Sequence, residues 1–196
     1  PRAGHAYMCA LDPSLGTGGD YAAIEVFELP GMVQVAEWQH NNTPIQGQIR
    51  VLKEIINHID STITQHSNKT PEIYYSVENN TLGEAALIAI QDQGEENIKG
   101  LFVSEPIRKG HVRKFRKGFN TTHRAKISSC SKFKEYVEND KMIVHSKNLI
   151  SELKTFVALG TSFGAKPGEH DDLVMATLLI CRMIGVIASW DQKLYT

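Results

Sequence analysis

The first forty residues run apolar in short spans cut by turn residues, and the pattern then changes to a helical period. Apolar spans over 5–11, 21–29 and 32–38 predict three strands. Asp12-Pro13, prolonged by Gly16, Gly18 and Gly19, makes the first turn, and Pro30-Gly31 joins the second and third strands as a hairpin. Thr43-Pro44 predicts a helix start, a cap followed by proline at the first helical position. Ile45, Ile49, Leu52, Ile55, Ile56 and Ile59 then mark one apolar face at helical spacing. Residues 73–77 predict a fourth strand, and Thr81-Leu82-Gly83-Glu84 is a capping box opening a helix that runs to 93. A fifth strand is predicted over 98–103. The glycine-punctuated stretch 108–122 reads as a mobile loop. Residues 123–139 read as a helix, 142–144 as a short extended piece and 147–159 as another helix. A loop through Pro167-Gly168 leads to the last helix, whose apolar run covers 173–188.

Hairpin-joined strands followed by helix–strand alternation predict an α/β fold. Its sheet is mixed, the first three strands antiparallel, with helices on both faces. The 196 residues, 41% of them hydrophobic, suit one domain with a full-sized core. The 173–188 run is broken by Thr177 and Arg182 and is too short for a bilayer, so it predicts a buried helix and no membrane partner. Cys9, Cys130 and Cys181 are odd in number and lack metal-type spacing, as expected of reduced residues in an intracellular protein. The chain opens at Pro1 without a methionine or a visible leader, and is expected to be a piece of something longer.

The net charge of -1 hides a strong polarity. Residues 1–107 hold 5 Lys/Arg against 14 Asp/Glu, residues 108–134 hold 10 against none, and residues 135–196 hold 6 against 8. A block so basic is the footprint of a polyanion, most often a nucleic-acid backbone. Arg108, Lys109, Arg113, Lys114, Arg116, Lys117, Arg124 and Lys126 are its candidate phosphate contacts, with Phe115 and Phe119 interleaved and no acid in the segment. Nothing in it resembles a base-reading helix.

Carboxylates supply the candidate chemistry. Asp12 is predicted at the end of the first strand, Glu78 at the end of the fourth, and Asp171-Asp172 in the first turn of the last helix. Taken alone, Asp12-Pro13 is ordinary turn chemistry, and one acid at a helix start is an ordinary cap. Two acids leading into an almost wholly apolar helix repel at the core rim, and a bound cation relieves them. Hard cations such as magnesium take oxygen ligands and keep several waters, so a few carboxylates suffice. Asp20 is a further outer contact for such an ion or a strand cap, and His170 a helper of a water or leaving group or a plain hydrogen-bond partner. Two cations beside a polyanion groove point to phosphodiester hydrolysis without a side-chain nucleophile.

Leu11-Asp12-Pro13-Ser14-Leu15-Gly16 with Gly19-Asp20-Tyr21, then Val77-Glu78-Asn79-Asn80, then Glu169-His170-Asp171-Asp172-Leu173-Val174-Met175-Ala176 resemble the nuclease domain of the tailed-phage large terminase, T-even-like branch. Gly118-Phe119-Asn120-Thr121-Thr122 and the following helix fall in register with it. The resemblance implies one RNase H-like nuclease domain over 1–196, an endonuclease that cuts concatemeric viral DNA during genome packaging. It implies that Asp12, Glu78 and one or both of Asp171 and Asp172 bind Mg2+ or Mn2+, two ions in all. Some relatives carry an acid where this chain has Leu15, which leaves Asp20 as the nearby extra carboxylate. Double-stranded DNA, an N-terminal packaging ATPase of the same protein, the capsid portal and the small terminase subunit are the implied partners, in the cytoplasm of the infected host cell. No G-x-x-x-x-G-K-[ST] loop occurs here, so the motor is expected elsewhere.

Three rivals stand beside this reading. A Holliday-junction resolvase or another RNase H-like nuclease uses the same metals on a different DNA shape. An ATPase of the actin and sugar-kinase type needs a second phosphate loop and lobe that the sequence lacks. A non-catalytic DNA-binding or docking module would keep the acids only as caps.

Overall fold

The computed structural model describes residues 1–80, 82–109 and 112–188, with residues 108, 109, 112 and 113 described through their backbone. Strands β1 (Ala6–Asp12), β2 (Ala22–Leu29) and β3 (Val33–His40) form an antiparallel meander. The chain then crosses through α1 (Ile45–Ser67) to β4 (Glu72–Val77), which pairs with β1 in parallel. After α2 (Gly83–Asp92), β5 (Leu101–Phe102) closes a five-stranded sheet of order β3-β2-β1-β4-β5.

Strand β1 is buried on both sides, which explains its unbroken apolar run. Tyr7, Cys9 and Leu11 point to α1 and α2, against Ile49, Leu52, Ile56, Ala86 and Ile90. Met8 and Ala10 point the other way, to Ile180, Met183, Ile184 and Ile187 of α5 (Asp172–Ile187). Helices α3 (His123–Glu138) and α4 (Lys147–Thr155) pack beside α5 on that second face. The α/β prediction with helices on both faces therefore stands. Among the described residues, no helix is long and apolar enough to cross a membrane. Cys9 and Cys181 are buried and Cys130 half-buried, all three free thiols.

Four local expectations give way. The basic stretch is not a loop: β6 (Glu105–Lys109) and β7 (Val112–Arg116) pair as an antiparallel hairpin, Arg108 opposite Arg113. The Ile, Val and Phe interleaved with the charges suit a solvated strand edge, where lysine and arginine are at home. Helix α4 stops at Thr155, and β8 (Phe156–Leu159) pairs with β9 (Ser162–Ala165). Gly160, at φ 60°, supplies the turn that a helix over 147–159 would have had to absorb. The fifth strand keeps only Leu101–Phe102, after a 3-10 turn at Glu95–Asn97. At the start of α1, Pro44 rather than Thr43 is the cap residue, and the Thr43 hydroxyl bonds to His40. Residues 142–144 do run extended, with Ile143 bridging Val33 at the sheet margin. The capping-box residue Thr81, and Gly110 and His111 of the basic stretch, lie outside the described residues.

Candidate functional site

Parallel pairing of β1 and β4 sets Leu11 opposite Val77, and the Glu78 N–H donates to the Leu11 carbonyl at 2.9 Å. The next residues along each strand are Asp12 and Glu78, so both carboxylates emerge at the carboxyl ends of neighbouring strands, the usual ligand edge of such sheets. Glu78 is buried, and Asn80 Nδ2 donates to its Oε2 at 3.1 Å. The turn after Asp12 is stapled to α1 by the buried Gln48, whose Nε2 donates to the Ser14 and Thr43 carbonyls at 2.8 and 2.7 Å. Gly16 is obligatory in that turn. It sits at φ 70°, and a Cβ there would meet the Thr43 carbonyl oxygen at 2.1 Å.

The third element is the start of α5. Asp171 occupies the cap position but its side chain makes no capping hydrogen bond. Glu152 of α4 does that work instead, its Oε2 accepting from the Val174 N–H at 3.0 Å while Gln39 Nε2 donates to its Oε1 at 2.7 Å. Both aspartates are thereby released toward the cavity, which argues against the acids being mere caps.

Asp12, Glu78, Asp171 and Asp172 line one cavity of about 610 Å³, with Asp20 and Glu169 among its walls. Burial pushes the Asp12 carboxyl well above the usual range, aided by a hydrogen bond and charge from Glu78 and by the charges of Asp172 and Asp171. Asp172 is pushed up to about 6 by burial, then by Glu152, with His170 opposing the shift. His170 Nδ1 stands 3.6 Å from Asp172 Oδ2 and packs edge-on to Tyr21 at 4.8 Å. That Asp172 oxygen is buried with no hydrogen-bond partner. Oxygen-only donors, raised carboxyls and an orphaned carboxylate oxygen fit a hard divalent cation. Among the described residues, no three Asp, Glu, His or Cys side chains are already drawn in as a metal cage. Asp12 instead hydrogen-bonds with Glu78, and Asp171 pairs with Lys126 Nζ at 3.5 Å.

The basic residues divide. Lys126 lines the cavity, while Arg124 points outward from α3. Lys114, Arg116 and Lys117 are exposed on and after β7. The side chains of Arg108, Lys109 and Arg113 lie outside the described residues. Acids from elsewhere neutralise part of this block, contrary to its sequence reading: Lys117 pairs with Glu95, and Arg116 stands 3.9 Å from Glu105. Phe119 is a core residue, whereas Phe115 is exposed. The hairpin's foot is stitched beside Glu78. Asn79 Nδ2 donates to the Lys117 carbonyl at 2.7 Å, and the Phe119 N–H donates to the Val77 carbonyl at 3.0 Å. Arg182 of α5 holds the other side through Glu105 at 2.5 Å and the Asn120 carbonyl at 3.1 Å. Sequence reasoning missed Glu152, Gln48 and Arg182. A glutamate two residues before a lysine in a short helix, or a glutamine on an apolar face, gives no sign of a distant partner. A larger hollow, about 780 Å³ along α1, gathers no carboxylate cluster: Gln93 bonds across it to Gln46.

The family model for the terminase RNaseH-like domain matches residues 9–183. The large terminase nuclease from thermophilic phage G20c with bound magnesium superposes at TM-score 0.63 and 18% identity, over 92% of this chain and 82% of that one. The Thermus phage P74-26 large terminase nuclease domain gives 0.60 at 18%, over 91% and 79%. The human cytomegalovirus terminase nuclease domain, manganese-soaked and inhibitor-bound, gives 0.62 at 12%, over 91% and 82%. With two strand-end acids beside a helix-start pair, on a sheet of order β3-β2-β1-β4-β5, this chain belongs to the family of terminase RNaseH-like domains.

Proposed function

We propose that this chain is a metal-dependent endodeoxyribonuclease that cuts concatemeric viral DNA during genome packaging. The observation that carries the reading is the convergence of Asp12, Glu78, Asp171 and Asp172 on one cavity beside a basic hairpin. Asp12, Glu78 and the aspartate pair would hold two Mg2+ or Mn2+ ions, with Asp20 as an outer contact. The G20c nuclease carries bound magnesium, cobalt or zinc in its solved structures, and the cytomegalovirus domain was soaked with manganese. Bound there, divalent cations supply the Lewis acidity that phosphodiester hydrolysis needs.

This chain's own residues do the rest. Gln48 and Gly16 fix the turn behind Asp12, Glu152 fixes the start of α5, and Arg182 fixes the foot of the hairpin. Lys114, Arg116 and Lys117, with Arg108, Lys109, Arg113 and Arg124, would bear on DNA phosphates without reading bases. On this reading the domain works with a packaging ATPase earlier in the same protein, the small terminase subunit and the capsid portal, in the cytoplasm of the infected cell.

The test is nicking of supercoiled plasmid. The wild-type chain is expected to nick with Mn2+ and not with EDTA, and Asp12→Asn to abolish nicking while the protein stays folded by circular dichroism. DNA binding that persists without any metal-dependent cleavage would leave a non-catalytic docking module in its place.

A further inference from the structure

Six carboxylates line the acid cavity, those of Asp12, Asp20, Glu78, Glu169, Asp171 and Asp172, and Lys126 is the one lysine or arginine among its described lining residues. Its Nζ stands 3.5 Å from Asp171 Oδ2, with 19% of the Lys126 side chain exposed and 27% of the Asp171 one. An exposed pair of this kind contributes little. This one is half-sheltered and faces uncompensated anions, so its attraction is screened far less.

The lysine is also placed from behind. Its Nζ lies 5.6 Å from the centre of the Phe156 ring, which stacks on Phe163 across the β8–β9 hairpin at 6.4 Å. Thr122 caps α3 by accepting from the Ala125 N–H at 3.2 Å, and His123 Nε2 bonds to the Thr161 carbonyl at 2.8 Å, tying the helix start to the hairpin turn. The ammonium therefore has two stations within reach, a carboxylate in front and an aromatic face behind, and cation–π attraction makes the second one tenable.

We infer that Lys126 is a tethered counter-cation of the carboxylate cluster. Without a metal its ammonium neutralises Asp171, and an arriving divalent ion must displace it toward Phe156. Lys126 thus acts as a positioning residue that sets how tightly the cavity takes a cation. The inference rests on the reading that the cavity binds divalent ions at all.

Calorimetric titration of the DNA-free chain with Mn2+ separates the possibilities, alongside thermal melting in EDTA. Lys126→Met is expected to bind Mn2+ about tenfold more tightly than wild type, because a unit positive charge a few Å from the ion is gone. It is also expected to melt lower in EDTA, where the acids lose their counter-charge. Lys126→Arg keeps the charge and should stay near wild type in both measurements. Lys126→Gln gives a second neutral variant, with a polar end suited to the half-exposed position, and is read the same way. Mn2+ affinity that is unchanged or weaker in the neutral variants overturns the inference, even if melting falls, since lowered melting alone is what a packing role predicts. Wild-type protein that takes up no Mn2+ overturns the metal reading itself, and this inference with it.

Discussion

Two groups of buried and half-buried acids lie on the same side of this sheet and have opposite fates. One is Asp12, Glu78, Asp171 and Asp172 around the cavity. The other is Glu25, Glu37 and Glu152, beneath α4. Glu25 is fully buried, faces Glu37 across the strand pair, and accepts from Gln34 Nε2 at 2.7 Å. Gln34 in turn accepts from the His145 and Ser146 N–H groups, Asn148 donates to Glu37 at 2.9 Å, and Gln39 donates to Glu152. Burial pushes Glu25 up to about 9, with the charges of Glu37 and Glu152 adding to it and Gln34 opposing. A held proton and neutral amides satisfy most of this group's oxygens, although Glu25 Oε1 and Glu37 Oε2 are buried without a hydrogen-bond partner. The cavity group has Asn80, Lys126 and His170 beside it and likewise leaves an Asp172 oxygen bare, but its four acids line about 610 Å³ of open space. Raised carboxyls and bare oxygens alone therefore do not mark a reactive site; several acids gathered around one large cavity do.

The sharpest way to break this comparison is Asp12→Asn. It should lower metal-dependent plasmid nicking by on the order of a thousandfold without lowering the melting temperature in EDTA, because a neutral side chain relieves repulsion with Glu78. Near-normal nicking would place the chemistry elsewhere. Reversing the charges of Arg113, Lys114, Arg116 and Lys117 should weaken DNA binding at least tenfold at low salt. It should also reduce the slope of log affinity against log salt by about 3, as measured by fluorescence anisotropy. An unchanged slope would remove the hairpin from the DNA contact.

Glu152 joins the two groups and should show an intermediate effect. Glu152→Ala leaves the Val174 N–H and Gln39 without their acceptor, and should cost about 2 kcal/mol in urea unfolding. Nicking should fall as well, because the start of α5 carries both aspartates. Glu25→Gln is the mildest change. The folded protein binds the Glu25 proton more tightly than the unfolded chain, so stability falls as pH rises from about 5 toward 9. The glutamine variant should lose that share of the slope and melt higher at pH 8, with nicking within about twofold of wild type. A large loss of nicking in Glu25→Gln would mean that the two groups are not independent.

Element types were legible wherever the chain repeats one environment. The strands of the meander, the isoleucine face of α1 and the apolar run of α5 declare themselves because each buries one stripe or both faces. The pairing of β1 with β4 was legible as a condition, and it brings Asp12 beside Glu78. The two small hairpins were not legible, because charge hid the alternation in β6–β7, and Phe156-Val157 fits either a helix end or a strand. The closed group under α4 was invisible: nothing near Glu25 in sequence announces that Gln34 and Glu37 will turn toward it.

The order of the meander, the helices and the central strands, the doubly covered sheet and the acidic residues at element edges follow from the sequence alone, because periodicity and turn chemistry are local. Which acids remain unneutralised was decided only by the tertiary structure. Glu152 reaches Gln39 across 113 positions, and Lys126 reaches Asp171 from another helix. Such pairings depend on through-space distance and shelter from water, and neither is written in the spacing of residues along the chain.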